Sequence, residues 1–323
     1  MHSWRRGNGA SGKTAGPAQR SRTCRGTVAD PAGASADPAV PPGGETAPTL
    51  RPAVAPARHP SPARPGARRG GWLLPGAAGL LSLYLGFCAV LFLRQRALLY
   101  LPQPRAAVAG NALLRLPGAG GVLELSAAQR QQRPAVLYFG GNAEDVAQTV
   151  PSLRALYPQR AIYALHYRGY GGSEGQPSEQ ALVGDAVRVL DQLRTRHAEV
   201  LVIGRSLGSG VAMQLAARRP LQRLILITPF ASIASVAAHR YPLVPVELLL
   251  QDRFDSEQQA PRVRAPSLIV AAGRDEVIPV QQARALAGSF RPGLVRYVEV
   301  PEALHNSPLL ESQALRPLLR GGG

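Results

Sequence analysis

Two stretches of this 323-residue chain carry the pattern Gly-x-Ser-x-Gly: Gly204-Arg205-Ser206-Leu207-Gly208 and Gly171-Gly172-Ser173-Glu174-Gly175. A serine hydroxyl is a weak nucleophile near neutral pH, so chemistry at either serine requires a base in hydrogen-bond reach and a third group to orient that base. It also requires a backbone that presents the hydroxyl. A sharp strand-to-helix turn does this, lifting the side chain clear of the sheet while small neighbours let strand and helix approach closely. Only Ser206 has a strand-like run before it, VLVIG, and a helix-like run after it, LGSGVAMQLAARR. Ser173 sits in a glycine-rich loop followed by Gln176-Pro177, which reads as a turn.

Of the six histidines, His2 and His59 lie in the N-terminal tail, His197 ends a helical stretch and His239 falls in an apolar insert. His166 closes a strand-like run but precedes the nucleophile. His305, in PEALHNSPLL after the last strand-like run, is placed at the sheet edge where Ser206 emerges and is the expected base. The acid is expected between Ser and His in the chain. Asp275, in LIVAAGRDEVIP just past a strand, fits, with a carboxylate that can hold the imidazole tautomer and stabilise the imidazolium. Its neighbour Glu276 reads as solvent-facing. Asp252 and Asp255, in QDRFDSEQQ, are the rival acids, and Asp255 reads as a helix cap. For the oxyanion, one N–H is expected from Leu207 and the other from the Gly140-Gly141-Asn142-Ala143 loop, with Asn142 as the donor. No phosphate-binding pattern accompanies these glycines, and no Cys/His spacing suits a metal.

The elements that must hold these residues are legible as short apolar runs alternating with helical stretches. VLELS (122–126), AVLYF (135–139), AIYALHY (161–167), EVLVIG (199–204), LILIT (224–228), SLIVAA (267–272) and VRYVEV (295–300) read as strands. Helices are expected from about Ala143 to Tyr157, over about 178–196, from Leu207 to Arg218, from about Val280 to Ser289, and after His305. This alternation predicts an α/β domain built on a parallel sheet with crossover helices.

Before that domain the composition changes twice. Residues 1–71 are rich in Pro, Ala, Gly and Arg and read as a disordered tail, a transit peptide, or a reading frame opened upstream of a start near Arg68 and Arg69. Trp72 to Leu93 is a run of 22 residues without a charge, about 33 Å as a helix, enough to cross a hydrocarbon core. A single-pass anchor is expected, and the basic tail favours a cytoplasmic N-terminus with the catalytic region (97–320) on the other side. The formal charge of +17 does not mark a nucleic-acid binder, because +8 of it sits in residues 1–71 and no basic run is interleaved with aromatics. The two cysteines, Cys24 and Cys88, lie in the tail and the apolar run, so an internal disulfide in the catalytic region is excluded.

YFGGNAEDV, YRGYGGSEG, GRSLGSG, LIVAAGRDEVIP and ALHN together resemble the ordered motifs of the α/β-hydrolase superfamily, in particular its single-pass membrane hydrolases of the bud-emergence type, which are similar to monoacylglycerol lipases and serine aminopeptidases. The resemblance spans about residues 97–320. It implies an eight-stranded, mostly parallel sheet, a Ser206–His305–Asp275 triad and oxyanion donors at Asn142 and Leu207. Two positions depart from the pattern: Gly140 stands where relatives usually have His, and His166 where an acidic residue is common. The expected chemistry is attack on an ester, thioester or amide carbonyl, an acyl-enzyme, and water activated by His305, with no metal or organic cofactor. The short apolar insert FASIASVAAHRYPLVPVELLLQDRF is expected to cap the site, suiting a small-molecule acyl ester or amphiphile at a membrane. A catalytically silent interaction protein and an acyltransferase with the same triad are the alternative readings.

Overall fold

The computed structural model describes residues 73–321. The tail 1–71, with His2, Cys24 and His59, and the first residue of the apolar run, Trp72, lie outside the described residues.

The apolar run forms one helix, α1 (Leu73–Leu99), that continues six residues beyond Leu93. Its last turns, Arg94-Gln95-Arg96-Ala97-Leu98-Leu99, are good helix formers, and the chain leaves the helix two residues before Pro102. From Pro75 to Leu99 the helix is long and apolar enough to cross a membrane, with a mean hydropathy of 2.1 and almost none of that stretch buried by the rest of the protein.

Strands β1 (Ala112–Gly118) and β2 (Gly121–Ala128) form an antiparallel hairpin. Then follow β3 (Ala135–Phe139), α2 (Val150–Leu156), β4 (Ala161–Leu165), α3 (Glu179–Arg194), β5 (Val200–Arg205), α4 (Leu207–Ala216) and β6 (Arg223–Ile227). The insert contributes α5 (Ile233–Arg240) and α6 (Val246–Leu249), and α7 (Ser256–Gln259) leads back to the sheet. Strand β7 (Ser267–Ala272), α8 (Val280–Gly288), β8 (Val295–Val300) and α9 (Arg316–Arg320) complete the series. The eight strands form one sheet in the order β1-β2-β4-β3-β5-β6-β7-β8, parallel from β4 to β8 and antiparallel at the β1–β2 edge.

β1 is the strand that apolar runs do not reveal. Its burial alternates between intermediate and exposed, and it carries Arg115 and Pro117, as an edge strand tolerates and a central one does not. β3 and β4 are buried along their whole length and β5 as far as Gly204, because helices cover both sheet faces. Alternate residues feed two cores: Leu137 and Phe139 pack with α3 and α4, whereas Val136 and Tyr138 pack with Leu153 and Leu156 of α2 and with Leu319 of α9. The expected helix from Ala143 to Tyr157 is broken into a 3-10 turn at Val146–Gln148 and α2, with Pro151 in the first turn of α2, where its missing N–H costs nothing.

From β3 the chain crosses first to β4 on one side and then to β5 on the other. The carboxyl ends of β3 and β5 therefore flank the crevice where strand order reverses, the place at which open α/β sheets bind ligands. The Gly140–Ala143 loop leaves β3 there, and Ser206 leaves β5 there.

Candidate active site

Ser206 is the single residue between β5 and α4, held at φ 50° and ψ −119°, a left-handed conformation unfavourable for any residue with a Cβ. The turn is closed by hydrogen bonds on both sides. Ser206 N–H donates to Ile227 O at 2.9 Å, and Ser206 O accepts from Ser209 N–H at 2.8 Å and Ser209 Oγ at 2.6 Å. The glycines are set by space: a Cβ on Gly208 would press into the Phe139 carbonyl, and one on Gly204 into the Gly208 backbone. Strand and helix thus meet at a distance that no larger residue allows, and the turn aims the serine hydroxyl away from the sheet.

Ser206 Oγ lies 2.9 Å from His305 Nε2, and His305 Nδ1 lies 2.8 Å from Asp275 Oδ2 and 3.0 Å from Oδ1. The loop after β8 carries His305 and the loop after β7 carries Asp275, so adjacent strands bring together residues thirty positions apart. Both side chains are almost fully enclosed. Asp275 Oδ1 also accepts the N–H groups of Val277 and Ile278 at 2.9 and 2.7 Å, which fixes the carboxylate before it meets the imidazole. With Nδ1 facing a carboxylate, the favoured neutral tautomer leaves Nε2 free to accept the serine proton.

Leu207 is the first residue of α4, so its N–H is one of the donors that the helix cannot satisfy internally, and the positive end of the helix dipole points at the same spot. Across from it, a Cβ on Gly141 would come within 3.7 Å of Ser206 Cβ, so the loop after β3 lies directly over the serine. Asn142 lines the same cavity as Ser206 and Leu207. Its side chain is committed elsewhere, because Nδ2 donates to Leu99 O at 3.1 Å, so the backbone N–H is the group it can offer an oxyanion. Its carbonyl accepts from Leu101 N–H at 3.2 Å and Tyr170 OH at 2.6 Å.

The other sequence candidates fall elsewhere. Ser173 is buried between β2 and the glycine loop, donating from Oγ to His166 O and accepting from Glu124 N–H, each at 2.8 Å. His197 is satisfied in the core by Tyr163 OH and Arg133 O. His239 lines the cavity from α5 without approaching the serine in any hydrogen bond. The rival acid Asp252 faces Arg96, at 2.9 Å, and also accepts from Glu179 N–H at 3.1 Å. Asp255 does occupy the N-cap position of α7 but makes no capping bond there; its carboxylate turns to Arg253 Nε at 3.1 Å. Glu276 is exposed, as expected, yet its carboxylate accepts His305 N–H at 3.1 Å and so holds the histidine's backbone.

A charged brace that no sequence motif discloses joins the loops around the site. Glu144 accepts from Gly141 N–H at 2.8 Å, Tyr138 OH at 2.8 Å and Thr149 Oγ1 at 2.6 Å, and lies 3.4 Å from Arg205 Nη1. Arg205 Nη2 in turn donates to Asn306 Oδ1 at 3.2 Å. The residue before the serine and the residue after the histidine are thereby joined to the loop after β3. Their adjacency to the motifs was visible in GRSLG, GGNAE and LHN; their pairing was not.

Comparison with known proteins agrees with this architecture. Residues 130–254 match the sequence profile of the family described as "Serine aminopeptidase, S33". An uncharacterized protein of Mycobacterium tuberculosis is 33% identical over 265 residues, covering 76% of this chain and 93% of that protein. The protein bem46 of Schizosaccharomyces pombe is 27% identical over 199 residues, 58% of this chain and 67% of its own length. The chain belongs to the α/β-hydrolase superfamily. Among solved structures, an esterase from Pyrococcus furiosus superposes with a TM-score of 0.55 at 12% identity, covering 68% of this chain and 95% of that one, which is a likeness of fold. Ser206 stands in the strand-to-helix turn between β5 and α4 of this fold.

Proposed function

We propose that this α/β-hydrolase is a membrane-anchored serine hydrolase that cleaves an ester or thioester through an acyl-enzyme. The observation that carries the reading is the unbroken hydrogen-bonded chain Ser206–His305–Asp275, with Ser206 and Asp275 lining a largely apolar cavity. His305 takes the Ser206 proton as Oγ attacks the acyl carbon, and Asp275 stabilises the imidazolium. The N–H groups of Leu207 and Asn142 receive the oxyanion. His305 then protonates the leaving group, and a water deprotonated by the same imidazole releases the acid. No cofactor enters this sequence, and the substrate is a small acyl ester or amphiphile. The helix α1 supports the membrane part of the reading by its length and hydropathy.

The test is turnover of a p-nitrophenyl ester by the full chain in detergent. Asp275→Asn is expected to lower kcat by about 10⁴-fold with the fold retained, because the imidazole would hold the wrong tautomer. Undiminished turnover in that variant would overturn the reading.

A further inference from the structure

The cavity at Ser206, about 870 Å³, is not enclosed by the hydrolase domain alone. One wall is the carboxyl-terminal part of α1, where Leu91, Phe92, Leu98 and Leu99 recur at helical spacing, and the facing wall is the insert, with Val236 and Leu249 among its residues. Polar bonds fasten the two walls together. Gln95 donates to Leu249 O at 3.1 Å and accepts from Gln251 N–H at 2.7 Å, and Arg96 holds Asp252. The same helix end reaches the loop over the serine, since Leu99 O accepts from Asn142 Nδ2 and Leu101 N–H donates to Asn142 O. A segment that serves only as a tether has no reason to line the cavity and grip the loop that receives the oxyanion.

A second observation sets depth. Tyr84 OH donates to Leu243 O at 2.7 Å, so the insert runs alongside α1 well past its charged end. Tyr84 precedes Arg94 by ten residues, about 15 Å of helix, or roughly half of a hydrocarbon core some 30 Å thick. Level with Tyr84 the insert exposes Leu243, at 84% of its surface, and nearer the charged end of α1, next to the Leu249 that Gln95 holds, it exposes Leu248 at 85%; no other leucine in the described residues is as exposed. Two leucines so exposed beside an apolar spanning helix find their burial in lipid.

The geometry points to a membrane-embedded cap: the insert 241–249 sits within one leaflet against α1, and the fatty-acyl chain of a membrane amphiphile reaches Ser206 through the slot between α1 and the insert. This inference rests on the hydrolase reading for its chemistry and on α1 crossing the bilayer for its placement. It assigns the anchor a second role, as the wall that measures the acyl chain. The substrate it selects is a single-chain ester whose head group stays at the interface while its tail never leaves the apolar phase.

The test uses the full chain reconstituted in phosphatidylcholine vesicles. Hydrolysis of a series of single-chain acyl esters from four to sixteen carbons is measured for wild type and for Leu91→Trp, which fills the slot at the far end of the α1 wall. Wild type is expected to prefer the long chains, and the variant to shift its optimum several carbons shorter; a role in folding alone would scale all chain lengths together. In parallel, Leu248→Trp is measured in vesicles of acyl-brominated phosphatidylcholine, where quenching beyond the wild-type background is expected. Activity with an unchanged chain-length profile, or an added tryptophan that is not quenched, would overturn the inference while leaving the hydrolase reading intact. Loss of hydrolysis across the whole series in wild type would overturn the acyl-slot assignment together with the hydrolase reading, and the quenching would still decide the placement of the cap.

Discussion

The same five-residue pattern occurs at Ser206 and at Ser173, and the two sites have opposite fates. Ser206 ends a parallel strand at the point where strand order reverses, in a strained turn whose glycines let helix and strand touch. Ser173 lies beside the antiparallel edge, where the glycines serve the loop itself: Gly171 has φ +61°, and a Cβ on Gly172 would strike the Glu124 carboxylate. One hydroxyl faces a histidine, and the other is spent on two backbone groups. Pattern alone does not set a serine beside a base; the element that precedes it and the residue that faces it do.

The two regions also differ in charge. Beside Ser173, the buried Glu124 is held by Arg105 and Arg115 at 3.3 and 3.0 Å; these guanidiniums bring its carboxyl below the usual range although burial works the other way. His166, whose Nε2 lies 2.9 Å from Ser126 Oγ, is kept neutral: burial pushes its imidazole down to about 4, against the pull of the Asp145 carboxylate. The Ser173 region is thus a structural polar core with its own titration, separate from the Ser206 site.

Removing each hydroxyl is expected to have the most unequal consequences. Ser206→Ala is expected to reduce ester turnover by about 10⁴-fold or more, as loss of a nucleophile does. Ser173→Ala is expected to keep turnover within a few-fold of wild type and to lower stability by about 1–3 kcal/mol, since it leaves a buried N–H and a carbonyl without a partner. Equal losses of turnover in the two variants, with both folded, would erase the distinction.

The pH dependence separates the regions next. Because the folded state holds His166 below its unfolded value, the unfolded chain binds the extra proton as pH falls. Stability is therefore full above pH about 6.5 and is lost progressively as the pH falls to about 4, by roughly 3 kcal/mol at the lower limit. Urea unfolding of wild type and His166→Asn across that range is expected to show the slope in wild type and its attenuation in the variant.

The smallest effect probes the brace. Glu144→Gln keeps the shape but weakens the hold on Gly141 N–H and Arg205. It is expected to lower kcat about tenfold with little change in KM, because a loosened oxyanion loop affects the transition state more than the bound ester. A change in KM alone would assign Glu144 to substrate binding instead.

These contrasts also explain which parts of the molecule its sequence discloses. Strands β3 to β7 are buried on both faces and therefore appear as unbroken apolar runs, and His305 and Asp275 follow such runs closely enough to be placed at the right sheet edge. β1 escapes notice because an edge strand needs no continuous apolar run. The turn at Ser206 is legible because a backbone this crowded requires glycine at 204 and 208. The bonds from Glu144 to Gly141 and from Asn142 to Leu99 are not, because polar residues declare their type but not their partner across 3 or 43 positions. For the same reason Asp255 was recognisable at a helix start while its choice of Arg253 over the helix N–H groups was not. The extension of α1 to Leu99, and with it the part of the cavity wall formed by Gln95, Leu98 and Leu99, lay beyond the uncharged run that ends at Leu93.

Treating the full chain with a fluorophosphonate and locating the adduct by peptide mass spectrometry asks directly which serine reacts. The geometry predicts a single modified residue, Ser206, in the wild type and none in His305→Ala. An adduct on Ser173, or equal modification of Ser206 without His305, would contradict it.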